Sequence, residues 1–276
     1  MANVMKKKVN IRDRNFSHDI SSCADTPTKH IEWCRDNVEV SKSCFLTDLC
    51  LTDIHKAVNV KRKVAWILEP RSIHPHTYNW IEQNNRLFDF VLTFDKSLLD
   101  KGENYIYYPH GRCWIKNYQH TPKTKLCSIF ASEKRMTVGH RLRHTVIDAH
   151  RDQLDCFGNY TGNRIDDKID GLALYYYSIA IENDIISGYW TEKLLDCFAT
   201  KTIPIYYGDK ESVSKYFNPD GILFFTNLQE LDDILLNIDR KSYNKCINAV
   251  DENFNLVEDY RVPEDWIFEN YPFLFE

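Results

Sequence analysis

The segment IENDIISGYWTEKLLDCFATKTIPIYYGD, residues 181–209, gathers Glu182, Asn183, Tyr189, Thr191, Glu192 and Lys193 just before the β-branched apolar run TIPIYYG. Those side chains could hold a phosphorylated ligand. If a helix starts near Thr191, its free backbone N–H groups favour an anion and Lys193 adds a cation beside them. Tyr189 and Lys193 are four apart and would share a helix face, while Glu192 could accept hydrogen bonds from paired hydroxyls such as those of a ribose. By spacing alone the plainer account is the stronger one, in which Thr191 is an N-cap followed by solvated first-turn charges. KVAWILEP (63–70) places Glu69 at the end of a buried strand. A carboxylate there could act as a general base or simply finish a loop.

The elements that must position these residues alternate. KVAWIL (63–68), DFVLTFD (89–95) and YIYYPHG (105–111) read as strands, and TYNWIEQNNRLF (77–88) and SLLDKG (97–102) as helices. Before them, VNIRD (9–13) and CFLTDL (44–49) read as short strands and TPTKHIEWCRDN (26–37) as a capped helix. KNYQHTPKTK (116–125) is polar, basic and aperiodic, as a linker between lobes would be. A second series follows, with strands in LCSIFAS (126–132), at the end of LALYYYSIAIEN (172–183), and in TIPIYYG (202–208) and GILFF (221–225). Its helices are expected in 140–154, 191–199, 211–217 and 228–238. Such alternation marks parallel sheets covered by helices. The expected fold is α/β, with one Rossmann-like lobe over residues 1–120, a second over 121–252, and a tail, 253–276, packing on the lobes through its aromatic end. Ligands of open parallel sheets collect beyond the carboxyl ends of the strands, here in a central cleft.

Composition narrows the functions. A net charge of −5 over 276 residues argues against broad nucleic-acid binding but not against a local basic pocket. Lys6, Lys7 and Lys8 precede no apolar stretch, and the longest apolar run, 171–181, is too short to span a bilayer. A soluble, cytoplasmic protein with no integral membrane segment is the expectation. Nine cysteines, odd in number and without a C-x-x-C pair, fit reduced thiols. Neither G-x-G-x-x-G nor G-x-x-x-x-G-K occurs, so any phosphate must be held by side chains and helix N-termini. D-x-D is also absent, and no metal or other cofactor is expected; Asp166–Asp167 and Asp232–Asp233 read as solvated pairs.

Tyr189 and Lys193 satisfy the Y-x-x-x-K of short-chain dehydrogenases and sugar epimerases, but the glycine-rich dinucleotide turn those enzymes need is missing. Taken at full length, the segment resembles the donor-binding motif of the α-1,3/4-fucosyltransferases, glycosyltransferase family 10. There a strand ending F-E-N-S precedes a short loop, Y-x-T-E-K and an apolar strand T-[IV]-P-[IV]-x-[YW]-G. This chain reads IEND, then GYWTEKLLDCFATKTIPIYYGD, then SVSKYFNPDG, with Asn183 and Tyr189 six apart as in bacterial members. The resemblance runs over about residues 127–240 and is traceable over 63–112.

It implies a fold of the GT-B type and an inverting, metal-independent transfer of L-fucose from GDP-fucose to a glycan hydroxyl. It further implies that Glu192 binds the donor ribose, that Lys193 and Tyr189, flanking Thr191, contact the diphosphate, and that Glu182 and Asn183 lie beside the transferred sugar or its phosphate. An arginine on the first helix of the donor lobe, after IFAS (129–132), aligns best with Arg143 and second with Arg141. Glu69 takes the place of the base, although E-P-R stands where members often have E-S-P, and His74, His76 and His110 occupy adjoining loops. Asp184 replaces the serine of F-E-N-S and puts a carboxylate near the sugar. Transfer of another activated sugar, or a non-catalytic sugar-nucleotide or glycan-binding module, remain the other readings.

Overall fold

Near-continuous apolar runs such as CFLT and VAW are stable as strands only where helices or chain cover both faces of a sheet. The computed structural model, which describes residues 5–35, 42–118 and 121–276, places them in that setting. The chain divides into two units, Met1–Arg112 with Asp259–Glu276, and Cys113–Glu258.

In the first unit β1 (Lys7–Arg12), β2 (Ile31–Cys34), β3 (Ser43–Thr47), β4 (Arg62–Trp66), β5 (Phe90–Thr93) and β6 (Tyr105–Tyr107) form a sheet of order β2-β1-β3-β4-β5-β6. Every described pairing in it is parallel. Alternate residues supply two cores. Leu46, Ala65 and Ile67 face α1 (Pro75–Asn84) and α2 (Lys96–Leu99), meeting Tyr78, Ile81 and Leu98. Phe45 and Trp66 point the other way into an aromatic cluster with Trp33, and Phe275 of the tail stacks on Phe45 at 4.9 Å.

One expectation is overturned. TPTKHIEWCRDN contains the strand β2, not a helix, because Ile31 and Trp33 are buried while Glu32 is exposed, the two-residue period of a pleated strand. Residues 36–37 of that stretch and 119–120 of the expected linker lie outside the described residues.

The tail belongs to this unit through a buried carboxylate. Glu264, at the start of the helix Pro263–Asn270, accepts from the Ser22 amide and hydroxyl, both at 2.7 Å, and from Trp33 Nε1 at 3.1 Å. Asp265 accepts from the Lys29 amide at 2.7 Å, and His30 stacks on Phe268.

In the second unit β7 (Lys125–Phe130), β8 (Asp155–Phe157), β9 (Tyr175–Ile181), β10 (Ile203–Tyr207) and β11 (Leu223–Phe224) form a parallel sheet of order β11-β10-β9-β7-β8. The helices α3 (Val138–His150), α4 (Glu192–Ala199), α5 (Lys210–Val213) and α6 (Leu228–Asn237) fall on the four expected segments, and α7 (Arg240–Lys245) and α8 (Ile247–Tyr260) follow them. The chain leaves β7 for β8 on one side, then crosses to β9 on the other, so the strand order reverses at the β7–β9 boundary. That reversal opens a crevice at the carboxyl ends of the strands. No helix among the described residues is long and apolar enough to cross a membrane, and all nine cysteines are free thiols.

Glu264→Ala should destabilise the first unit by about 2 kcal/mol or more, since it strands buried donors on Ser22 and Trp33. Urea unfolding followed by tryptophan fluorescence measures this, and a loss below about 0.5 kcal/mol would show that the tail is not tied by this group.

Candidate functional site

A pocket of about 350 Å³ lies at the reversal point of the second sheet. Phe130, Ala131 and Ser132 reach it from the end of β7, Gly158 and Asn159 from the end of β8, and Ile179, Ala180 and Ile181 from β9. Arg143, Lys168, Glu192 and Lys193 supply its charge.

Arg143 projects from α3 and is 7% exposed. Its Nε donates to the Ile181 carbonyl at 3.1 Å and its Nη2 to Asn183 Oδ1 at 2.9 Å. Burial draws the guanidinium below its ordinary value, opposed by Glu182 and Glu192, and it stays a cation at any physiological pH. The approach of α3 to β9 requires Gly139, whose amide donates to the Asn183 carbonyl at 3.1 Å. A Cβ on Gly139 would stand 1.8 Å from the Glu182 carbonyl oxygen. Arg141, the second choice from sequence, instead donates to the exposed carbonyl of Arg135.

Glu182 has no exposed surface. Its carboxylate accepts the Thr191 amide at 2.9 Å, the Thr191 hydroxyl at 2.8 Å and the Tyr206 hydroxyl at 3.1 Å, and pairs with Lys193 Nζ at 3.4 Å. Thr191 caps α4, and Lys193 Nζ reaches Thr191 Oγ1 and Glu192 Oε1, both at 3.0 Å. The segment is therefore a capped helix start, as the plainer sequence reading had it, but Glu192 and Lys193 are mostly buried along the pocket wall and not solvated. Tyr189 lies ahead of α4, 2% exposed, and does not share a helix face with Lys193. Asp184 accepts the neighbouring Ile185 amide at 2.9 Å.

Lys168 is a pocket cation that the sequence reading missed, since it sits in an aperiodic polar loop. It pairs with the buried Asp196 at 2.6 Å, and Asp196 also accepts the Trp114 amide at 2.7 Å. Burial draws the Lys168 ammonium down, but the charge and hydrogen bond of Asp196 together with the charge of Glu192 more than offset it and raise the group.

In the first unit four neighbouring strands each run into a carboxylate at the carboxyl edge: Asp13 after β1, Asp48 after β3, Glu69 after β4 and Asp95 after β5. Three are consumed by the fold. Asp13 holds the Asn15 and Phe16 amides and the Thr47 hydroxyl, Asp95 caps α2, and Asp48 holds the Leu68 and Glu69 amides. Among the described residues nothing bonds to the carboxylate of Glu69, which is half-buried. His110 is 3% exposed with Nε2 2.6 Å from the Leu68 carbonyl, whereas His74 and His76 stay at the surface around the start of α1. An acid closing each apolar run was a readable signal that the single choice of Glu69 passed over. Among the described residues no group of three or more His, Cys, Asp or Glu side chains could hold a metal ion.

The model of the family described as Glycosyltransferase family 10 (fucosyltransferase) C-term matches residues 120–262, just over half of the chain. The α-(1,3)-fucosyltransferase FucT of Helicobacter pylori is 34% identical over 77 residues, 28% of this chain and 16% of that protein. R654 of Acanthamoeba polyphaga mimivirus, itself a fucosyltransferase only by proposal, is 26% identical over 222 residues, covering 69% of this chain and 36% of that one. The chain thus spans little more than a third, or less, of these relatives. A crystal structure of an α1,3-fucosyltransferase superposes with a TM-score of 0.58 at 20% identity, covering 90% of this chain and 82% of that one. TarM gives 0.59 at 13% identity over 86% of this chain and 55% of that one. These likenesses show the fold, two Rossmann-like α/β units of the GT-B class.

His140, in the first turn of α3, is held neutral: burial, then the charges of Arg143, Lys134 and Lys193, draw it from its ordinary 6.5 to about 4. Thr137 Oγ1, 2.7 Å from its Nδ1, can donate to the unprotonated ring while accepting the His140 amide. The unfolded chain therefore binds the proton more readily, so the stability of this unit should be unimpaired by His140 above pH 6.5 and fall as pH drops towards 4. His140→Gln should flatten that fall in urea unfolding at pH 4.5 and 6.5; an unaltered difference between the two would refute it.

Proposed function

The chain belongs to glycosyltransferase family 10, and from that premise we propose that it transfers L-fucose from GDP-fucose to a hydroxyl of a glycan, with inversion at the anomeric carbon. The observation that carries this reading is the pocket at the strand-order reversal, which gathers three cations around the N-terminus of α4 in a chain without a glycine-rich phosphate loop. In solved relatives of the fold, one α1,3-fucosyltransferase is described with GDP-fucose.

In the proposed reaction the acceptor oxygen attacks the anomeric carbon as its proton passes to the Glu69 carboxylate, and the bond to the diphosphate breaks on the opposite face. The departing GDP gains negative charge. In this reading Arg143, Lys193 and the α4 N-terminus meet that charge as fixed partners, the most effective form of electrostatic stabilisation. Glu192 accepts the ribose hydroxyls, and Lys168 adds a third cation. No metal is needed in this scheme because side chains meet the charge of the leaving group. Glu182 acts from behind, by holding Thr191 and Lys193, and Tyr189 and Asn183 close the same segment. Glu69 suits the base because, alone among the four acids of its edge, it is not consumed by the fold.

A thermal-shift panel of nucleotide sugars tests the donor, since a ligand at a hundred times its Kd stabilises the folded state by about 2.7 kcal/mol. GDP-fucose and GDP should raise Tm; a response confined to UDP- or dTDP-sugars would overturn the donor. GDP release from GDP-fucose across an array of glycan acceptors tests transfer, and no release with any acceptor would favour a binding module. Glu69→Gln should abolish release with GDP affinity unchanged, and full activity in that variant would remove Glu69 as the base. Lys193→Ala should weaken GDP binding by about 1.5–3 kcal/mol, the worth of a charged hydrogen bond, and unaltered affinity would sink that contact.

A further inference from the structure

Asp48 is a carboxylate with 2% exposure and, among the described residues, no cation partner. Its Oδ1 accepts the Leu68 amide at 2.9 Å, and its Oδ2 accepts the Glu69 amide at 3.1 Å and Asn15 Nδ2 at 3.0 Å. Asn15 is presented by a turn that Asp13 closes with the Asn15 and Phe16 amides. The carbonyls of the same three-residue stretch are held by side chains as well. Tyr108 donates to Ile67 at 2.6 Å, His110 Nε2 lies 2.6 Å from the Leu68 oxygen, and Tyr78 donates to Glu69 at 3.1 Å. Past the end of β4, where a strand normally loosens, residues 67–69 are therefore clamped from both edges.

Fold stability alone does not account for Asp48. Burial pushes its carboxyl up to about 7, against the pull of the Leu68 amide and with the charge of Glu69 adding to the rise. A carboxyl whose folded value exceeds its unfolded one loses stability as pH climbs between the two, so the ionised group is a cost near neutrality. Water or a neutral amide could satisfy the same N–H groups without that cost. What the buried carboxylate does provide is a bond to each of two consecutive amides, which fix the direction in which the next side chain leaves the backbone. That side chain is Glu69.

We propose that Asp48 is a positioning residue for the base, aiming the Glu69 carboxylate through its backbone without touching substrate. This rests on the reading of Glu69 as the base. Displacing a reacting group by about 1 Å can cost on the order of a hundredfold in rate. Asp48→Asn keeps the size and one acceptor but turns an amide group towards the remaining N–H.

The test is steady-state GDP release from GDP-fucose, with the acceptor selected in the array above, for wild type, Glu69→Gln, Asp48→Asn and Asn15→Ala, beside GDP affinity by calorimetry. For Asp48→Asn, kcat should fall about ten- to a hundredfold with KM for GDP-fucose and GDP affinity within about twofold of wild type. Asn15→Ala should lower kcat severalfold in the same pattern. If Glu69→Gln is inactive while Asp48→Asn turns over as wild type, the positioning role is refuted and the base survives. If Glu69→Gln is fully active, the base reading fails and takes this one with it. If kcat and GDP affinity drop together in Asp48→Asn, Asp48 is merely structural; and should that variant not fold, wild-type kcat in Asn15→Ala refutes the proposal.

Discussion

The carboxylate of Glu182 decides how the segment 182–193 can close, because it is fully buried and spent on three hydrogen bonds and an ion pair inside the protein. It takes both the amide and the hydroxyl hydrogen of Thr191. With that hydrogen committed, the Thr191 oxygen is left as an acceptor, and it accepts from the Lys193 amide at 3.4 Å and from Lys193 Nζ at 3.0 Å. One buried anion thus sets the cap, the cap sets the direction of α4, and the helix start carries Lys193 into the pocket. Tyr206 on the neighbouring strand β10 donates to the same carboxylate, so the closure is referred to the sheet and not to the loop alone. Burying such a group is expensive unless its bonds are made, and here they are.

A second constraint meets the first at the end of β9. Gly139 lets α3 come close enough for its amide to bond the Asn183 carbonyl, and the same approach brings Arg143 onto the Ile181 carbonyl. Any side chain at 139 would push the helix off the strand and Arg143 with it. The two polar anchors, Glu182 facing α4 and the 181–183 backbone facing α3, stand on opposite sides of one strand end. This is why a pocket at a strand-order reversal can gather charge from two helices without a glycine-rich loop.

Much of this was legible beforehand. Apolar runs bounded by turn residues marked β3 to β7, β9 and β10, since strands of parallel sheets announce themselves by composition. β2 failed because four residues of alternation, IEWC, are shorter than a helical window and lay among residues that suit a capped helix. Arg143, Glu192 and Lys193 were found through motif and spacing. Glu182 was expected beside the transferred sugar or its phosphate, and its burial against Thr191, Lys193 and Tyr206 was not foreseen, because nothing in IEND says that the glutamate turns inward while the asparagine faces Arg143. Lys168 and Asp48 escaped for a related reason: each gains its place from a partner distant in sequence, Asp196 or the Leu68 and Glu69 amides, and such pairings leave no local pattern.

The pocket cations share one further property. Arg143 is already bonded to Ile181 and Asn183, Lys193 to Glu182, Glu192 and Thr191, and Lys168 to Asp196. Long basic side chains lose about 1.5–2 kcal/mol of rotamer freedom when fixed. Here the fold has fixed them before any ligand arrives, so an entering diphosphate would meet oriented charges and owe less of that entropy itself. The acids that hold the two lysines, Glu182, Glu192 and Asp196, also keep the pocket from carrying an uncompensated positive charge, which burial would otherwise penalise. In the proposed reaction the diphosphate enters already charged and gains further negative charge as it departs, so the same fixed cations hold the departing group more strongly than the bound donor.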